Sequence, residues 1–129
     1  MNSISKSWQK GFAAARAASH HSNSSRISRR MGAALFSKSI LISIGFNVYG
    51  HTHPNSADKK TSIHAEHKAV LKRQYYNNSG LVLYIYRETA DGFPACSKPC
   101  LTCQQIIREA GISKVRFVDS QGSYAEMFV

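Results

Sequence analysis

Two short motifs constrain this chain more than any other feature, because their side chains suit one shared metal ion and would have to meet in the fold. Residues 64–66 read His-Ala-Glu, and residues 99–103 read Pro-Cys-Leu-Thr-Cys. An imidazole and two thiolates are ligands that zinc prefers in tetrahedral sites. We therefore expect His64, Cys100 and Cys103 to bind Zn²⁺ and to leave the fourth position for water, as is typical of a catalytic site.

Glu66 stands two positions after His64, which predicts a division of roles inside the site. Side chains two apart in a regular helix diverge by roughly 200°, so the imidazole can face the metal while the carboxylate faces a substrate. We expect Glu66 to carry protons, taking one from water and delivering it to a ring nitrogen and a departing amine. Cys100 and Cys103 are three apart, so both thiols lie on one face of a helix or turn.

A closed structural zinc site on a protein without enzymatic activity is the main alternative. Such a site needs a fourth protein ligand, which Cys96 could supply in principle. The presence of Glu66 in register with the ligands favours the catalytic interpretation. A second metal at His51 and His53 stays open, although no further ligand of the right type lies nearby in the sequence.

The combined pattern resembles the His-x-Glu and Pro-Cys-x-x-Cys signature of zinc-dependent deaminases. The chain is similar to the cytidine deaminase superfamily, specifically its deoxycytidylate-deaminase-like branch, over most of its length. The resemblance also covers residues 30–35, 42–47, 83–87 and 110–115. It implies an enzyme that hydrolyses cytosine to uracil with release of ammonia and that uses Zn²⁺ as its cofactor.

Substrate contacts follow partly from this resemblance. It implies that Asn47 hydrogen-bonds the sugar and that the backbone around Ala65 and Ser97 holds the polar edge of the base. Tyr49 follows Asn47 in a predicted loop, where its ring could stack on a base. We expect Arg30, or alternatively Arg26, to anchor a phosphate.

Composition favours an anionic partner. The chain has 17 Lys and Arg against 7 Asp and Glu, a formal net charge of +10, which suits nucleotides or nucleic acid, although a solvated basic face gives the same composition. Tyr49 is one stacking platform, whereas polymer binding normally uses several. We therefore favour deoxycytidine monophosphate as the substrate over single-stranded DNA or RNA. A non-catalytic, zinc-stabilised module that binds nucleic acid is the alternative from another class.

The length, the hydropathy and the cysteine content of the chain indicate how many domains to expect and in which compartment. At 129 residues, we expect one deaminase domain over 1–129. No apolar run approaches the length of a membrane span, so no membrane partner is expected. Three cysteines, two of them assigned to metal, indicate a reducing compartment and a cytoplasmic protein. A homo-oligomer stays open.

The hydrophobic pattern predicts a three-layer α/β/α domain with a mixed sheet of roughly five strands. The expected helices span 4–20, 63–76 and 100–110, and the expected strands span 31–36, 40–47, 81–86 and 114–118. The near-continuous apolar run at 81–86 indicates a central strand that is buried on both faces. Residues 123–128, if they form a strand, are expected to return antiparallel around a turn at 119–122, because a parallel crossover needs about a dozen residues.

Overall fold

The computed structural model describes residues 5–22, 30–47 and 80–129. The helices in these ranges are α1 (Lys6–Ser19) and α2 (Leu101–Glu109), and the strands are β1 (Met31–Ser37), β2 (Ile40–Phe46), β3 (Leu81–Glu88), β4 (Pro94–Ala95), β5 (Lys114–Val118) and β6 (Tyr124–Phe128). The helix predicted at 63–76 lies outside the described residues. Within the described ranges, no helix has the length and apolar character needed to cross a membrane.

The strands form one mixed sheet in the order β2-β1-β3-β5-β6, with β4 paired to β3. β1 runs antiparallel to β2 and β3, β3 runs parallel to β5, and β6 returns antiparallel to β5. The mixed sheet and the antiparallel last strand are therefore confirmed. The added strand, β4, has two residues that pair with Arg87 and Glu88.

Each face of the sheet carries its own core, which gives the predicted three layers. Successive side chains of a strand point to opposite faces. Leu83 and Ile85 of β3 pack with Ile107 of α2, whereas Tyr84 and Tyr86 pack on the other side with apolar side chains of α1. We call these the α2 face and the α1 face. β3 is buried on both faces, as its apolar run predicted.

α1 approaches the sheet closely enough that β1 needs a glycine beneath it. The helix begins after Ser5, whose hydroxyl accepts a hydrogen bond from the Trp8 amide at 3.4 Å. A Cβ atom at Gly32 would lie 2.0 Å from the Ala15 carbonyl oxygen and 2.3 Å from the Ser19 amide nitrogen. Because both of these are backbone atoms, neither can rotate away. Gly32 therefore fixes the spacing between α1 and the sheet.

Candidate metal centre and substrate site

Ser97 joins the parallel strands β3 and β5 near their carboxyl ends. The paired register between the strands ends at Tyr84 and Arg116. Beyond it, the Ser97 hydroxyl donates to the Ile85 carbonyl at 2.8 Å and accepts from the Val118 amide at 2.9 Å. The Ser97 amide also donates to the Val118 carbonyl at 2.8 Å. With 1% of its surface exposed, Ser97 is locked to both strands, at the end of the sheet where open α/β folds bind ligands.

The second motif follows this junction and starts α2. Cys100 is the N-cap residue, with an extended backbone at φ −67° and ψ 166°, and Cys103 lies in the first turn. The Cys100 carbonyl accepts a hydrogen bond from the Gln104 amide at 2.9 Å, and the Gln104 side chain donates to the Pro99 carbonyl at 2.8 Å. Pro99 therefore lies directly before the N-cap residue of α2. One helical turn separates the two cysteines, so a single ion can reach both sulfur atoms.

The donors in this part of the chain suit zinc. Cys96, Cys100 and Cys103 are all free thiols; Cys103 is buried and the other two are exposed. Among the residues that the structure describes, no three His, Cys, Asp or Glu side chains converge on one point, so Cys96 does not complete a site with the motif cysteines. The remaining predicted side chains lie outside the described residues: His64, Ala65 and Glu66 of the first motif, Tyr49, His51 and His53 of the predicted loop, and Arg26, the alternative phosphate anchor.

Asn47 lies at the end of β2 and is fixed to β1. Its side-chain Oδ1 accepts a hydrogen bond from the Met31 amide at 2.8 Å, and its own amide donates to the Met31 carbonyl at 3.2 Å. Met31 packs against the core of the α2 face and pairs on its other side with Arg87. Asn47, Met31 and Arg87 therefore form one row across three strands. Strands lie about 4.8 Å apart, which separates Asn47 from Arg87 by roughly 10 Å.

The alternation of side chains along a strand places Arg30 and Arg87 on opposite faces of the sheet. Arg30 directly precedes Met31, and continuing the alternation of β1 by one residue places it with Gly32, toward the α1 face. Arg87 alternates with Ile85 and so lies on the α2 face. Its Nε donates to the Cys96 carbonyl at 2.8 Å, in the segment that leads to the motif cysteines.

The sequence did not predict that Glu88 forms a buried carboxylate site on the α1 face. Oε2 of Glu88 accepts hydrogen bonds from the Tyr86 hydroxyl at 2.9 Å and from Nε of Arg16 at 3.1 Å, and Oε1 lies 3.2 Å from Nε2 of His20. Burial alone raises the pKa of Glu88, but the hydrogen bonds from Tyr86, His20 and Arg16 outweigh it and hold the pKa below its usual range. Burial, followed by the hydrogen bond to Glu88, raises the pKa of Tyr86.

This group, which we call the Glu88 cluster, ties the end of α1 to the end of β3. Arg16 and His20 stand 72 and 68 positions from Glu88 in the chain. Nothing in a local pattern connects residues so far apart. The cluster therefore belongs to the packing of α1 on the sheet, on the face opposite α2.

The fold thus has three layers, and two thiols that suit zinc lie at the start of α2, after a segment that joins the carboxyl ends of β3 and β5. The family model for the cytidine and deoxycytidylate deaminase zinc-binding region matches residues 5–119. The chain belongs to this family. It is thus an enzyme and, at the level of the family, a deaminase of cytosine nucleosides and nucleotides.

Solved structures show the same fold at low sequence identity. The cytidine deaminase from Burkholderia pseudomallei superposes with a TM-score of 0.70 at 20% identity, over 97% of this chain and 93% of that one. The dCMP deaminase from the cyanophage S-TIM5 gives 0.62 at 23% identity in its apo form, over 88% of this chain and 82% of that one. The same enzyme in complex with dCMP and dUMP gives 0.59 at 22% identity, with the same coverage. Among curated proteins, no sequence matches this chain.

Proposed function

We propose that this enzyme hydrolyses the cytosine base of a free nucleotide, deoxycytidine monophosphate, to uracil and ammonia. One observation carries the proposal: the motif cysteines sit at the N-cap and in the first turn of α2, directly after a segment that Ser97 locks to both parallel strands. His64, Cys100 and Cys103 would hold Zn²⁺. Bound zinc would lower the pKa of a coordinated water and so provide a nucleophile near neutral pH.

The remaining chemistry falls to side chains and backbone of this chain. Glu66 takes one proton from the attacking water and gives it to the ring nitrogen, and it then carries the second proton, from the hydroxyl added to the ring carbon, to the leaving amine. The amide of Ser97 already donates to Val118, so we assign the base contact to the Ser97 carbonyl, an acceptor that suits the exocyclic amine of cytosine. Oδ1 of Asn47 accepts from the Met31 amide, which fixes this side chain at the end of β2, and we assign the sugar contact to Asn47.

The metal assignment is tested by measuring zinc content. Cys100→Ala and His64→Ala should each lose zinc, together with some stability, because metal binding contributes to folding free energy. Cys96→Ala is the matched control, since Cys96 is also an exposed free thiol but does not converge with the motif cysteines. This control should keep one zinc per chain. Full zinc occupancy in either ligand variant would refute the assignment.

The role of Glu66 is tested by separating metal binding from turnover. Glu66→Ala should keep its zinc and its circular dichroism spectrum, but deaminate at least about 10²–10⁴-fold more slowly, the range for one general acid–base group. Ammonia release and the absorbance change from cytosine to uracil report the rate. A variant that turned over near the wild-type rate on any confirmed substrate would rule out this mechanism.

The net charge of +10 keeps a polymer substrate as the second candidate. A competition between deoxycytidine monophosphate and a cytosine oligonucleotide decides between them. We expect the larger kcat/KM for the monophosphate. A much larger kcat/KM for the oligonucleotide that collapses with added salt would favour the polymer, because binding to a nucleic acid backbone depends steeply on salt. A purified zinc protein that bound oligonucleotide without deaminating any cytosine compound would instead be the non-catalytic module.

A further inference from the structure

We infer that Gln104 is a positioning residue of the metal centre: its side-chain amide fixes the peptide between Pro99 and Cys100, and so sets the direction from which Cys100 meets the ion. This inference rests on the proposed binding of zinc by His64, Cys100 and Cys103. In this role Gln104 acts through the backbone that carries a metal ligand, and not on the ion itself.

The start of α2 differs from an ordinary helix start because cysteines occupy both positions that usually hold it. In a capping box, a Ser or Thr at the N-cap and a Glu or Gln three residues later bond to each other's backbone amides. In α2 these two positions are Cys100 and Cys103, and Cys100 makes no capping hydrogen bond with its side chain. Because both sulfur atoms are assigned to the ion, another residue has to fix the chain where it enters the helix.

Gln104, one position further along α2, makes this contact. Its side-chain nitrogen donates to the Pro99 carbonyl at 2.8 Å, and its backbone amide donates to the Cys100 carbonyl at 2.9 Å. Pro99 is buried, so its carbonyl is a group that the fold has to satisfy. Since a peptide group is planar, a hydrogen bond that holds the Pro99 carbonyl also orients the N–Cα bond of Cys100.

The other end of this short segment is fixed as well, which leaves the chain few rotations before Cys100. Ser97 is bonded to both parallel strands, and the ring of Pro99 restricts its own φ to about −65°. The bond from Gln104 then fixes the carbonyl of Pro99. The segment 97–100 is thus fastened at both ends by hydrogen bonds of the protein, so Cys100 needs little further ordering to bind an ion.

The first test measures how tightly the enzyme holds zinc. Gln104→Met nearly preserves the length and the helix propensity of the side chain but removes its donor. The dissociation constant for Zn²⁺, from competition with a chromophoric chelator, should rise about tenfold, the lower end of the range for residues that support metal ligands. Equal zinc affinities in the wild type and in Gln104→Met would overturn the inference.

Gln105→Met is the matched control, because α2 carries a second glutamine at the next position. The Gln105 side chain donates to Glu109 at 3.2 Å, one turn further along the helix and in an exposed position. Gln105→Met therefore removes the same chemical group from the same helix, and it should leave the zinc affinity unchanged. Equal losses of zinc affinity in the two variants would show that the affinity follows the stability of α2 and not the contact with Pro99, which would also overturn the inference.

The visible spectrum of the cobalt-loaded protein separates positioning from stability. Co²⁺ binds the same nitrogen and sulfur ligands as zinc, and its visible absorption depends on the geometry of those ligands. At saturating Co²⁺, Gln104→Met should show shifted bands, whereas Gln105→Met should match the wild type. If the bands of Gln104→Met coincide with those of the wild type, Gln104 contributes only to stability and the inference is wrong.

Turnover measurements distinguish the failure of this inference from the failure of the proposed function. A wild type that binds zinc no more tightly than Gln104→Met, but deaminates deoxycytidine monophosphate, refutes the role of Gln104 alone. A wild type that binds zinc but deaminates no cytosine compound refutes the proposed function, and the zinc affinities then still decide whether Gln104 positions Cys100. A wild type that binds no zinc refutes both.

Discussion

Replacing the buried carboxylate of Glu88 by an amide tests how the Glu88 cluster holds α1 on the sheet. Glu88 is 6% exposed and accepts hydrogen bonds from Tyr86, Arg16 and His20. Glu88→Gln preserves the shape of the side chain. It leaves one oxygen acceptor, however, and turns an NH₂ group toward at least one of the three donors. The variant therefore breaks bonds without creating a cavity.

The expected loss of folding free energy in Glu88→Gln depends on how exposed each hydrogen-bond donor is. The Tyr86 hydroxyl is buried, and exchanging its charge-assisted bond to a carboxylate for a bond to a neutral amide oxygen costs about 1 kcal/mol. The side chains of Arg16 and His20 are 54% and 50% exposed, so water replaces the carboxylate and each bond contributes only about 0.2–1 kcal/mol. The sum is about 1.5–3 kcal/mol at neutral pH. For a domain of this size, that corresponds to a fall in Tm of roughly 10 °C.

The effect should depend on pH in a defined direction. The pKa of Glu88 is lowered in the folded protein, so the stability contributed by its ionised form is fully present above the unfolded-state value of about 4.3. This contribution is lost as the pH falls through the lower folded-state pKa. The stability gap between wild type and Glu88→Gln should therefore be largest at neutral pH and should narrow below about pH 4.

Urea unfolding followed by tryptophan fluorescence measures this gap. Trp8 is the single tryptophan of the chain, and it lies on α1 with the guanidinium carbon of Arg116 4.9 Å from its ring centroid. Glu126→Gln is the matched control, since Glu126 also pairs with an arginine Nε but its side chain is 26% exposed, against 8% for Glu88, and it should cost at most about 1 kcal/mol. A Glu88→Gln loss no larger than that of the control, or a loss that stays constant on acidification, would refute the reasoning.

Two further substitutions test the packing and the junction between the strands. Gly32→Ala should destabilise the fold by about 3 kcal/mol or more, because its Cβ would overlap backbone atoms of α1. In the control Gly92→Ala, the new Cβ meets no atom within 4 Å but the residue has a positive φ of 88°, so this variant should cost only about 1–2 kcal/mol. Equal losses of stability in thermal unfolding of the two variants would contradict this account. Ser97→Ala should lower the stability of the fold by about 2 kcal/mol, because it removes the hydroxyl that joins Ile85 to Val118. It should also weaken the retention of zinc against a chelator. Unchanged zinc retention would show that the hydrogen bonds of the Ser97 hydroxyl do not position the metal ligands.

Local sequence patterns determined much of the fold and the chemical type of the site. The apolar run at 81–86 predicted a strand buried on both faces, and β3 packs against both cores because its side chains alternate between them. The connection at 119–122 is too short for a parallel crossover, which predicted the antiparallel return that β6 makes. Cysteines three positions apart predicted two thiols within one helical turn, and α2 places them there.

Only the tertiary structure decided which distant residues share a face or a hydrogen bond. The Glu88 cluster joins α1 to β3 across about half of the chain, and the need for glycine at position 32 comes from the height of α1 above β1. Ser97, expected to act through its backbone, also uses its side chain to join β3 to β5. The row from Asn47 to Arg87 depends on the register of three strands. Register is set by pairing between segments, and a shift by one residue would move every side chain to the other face.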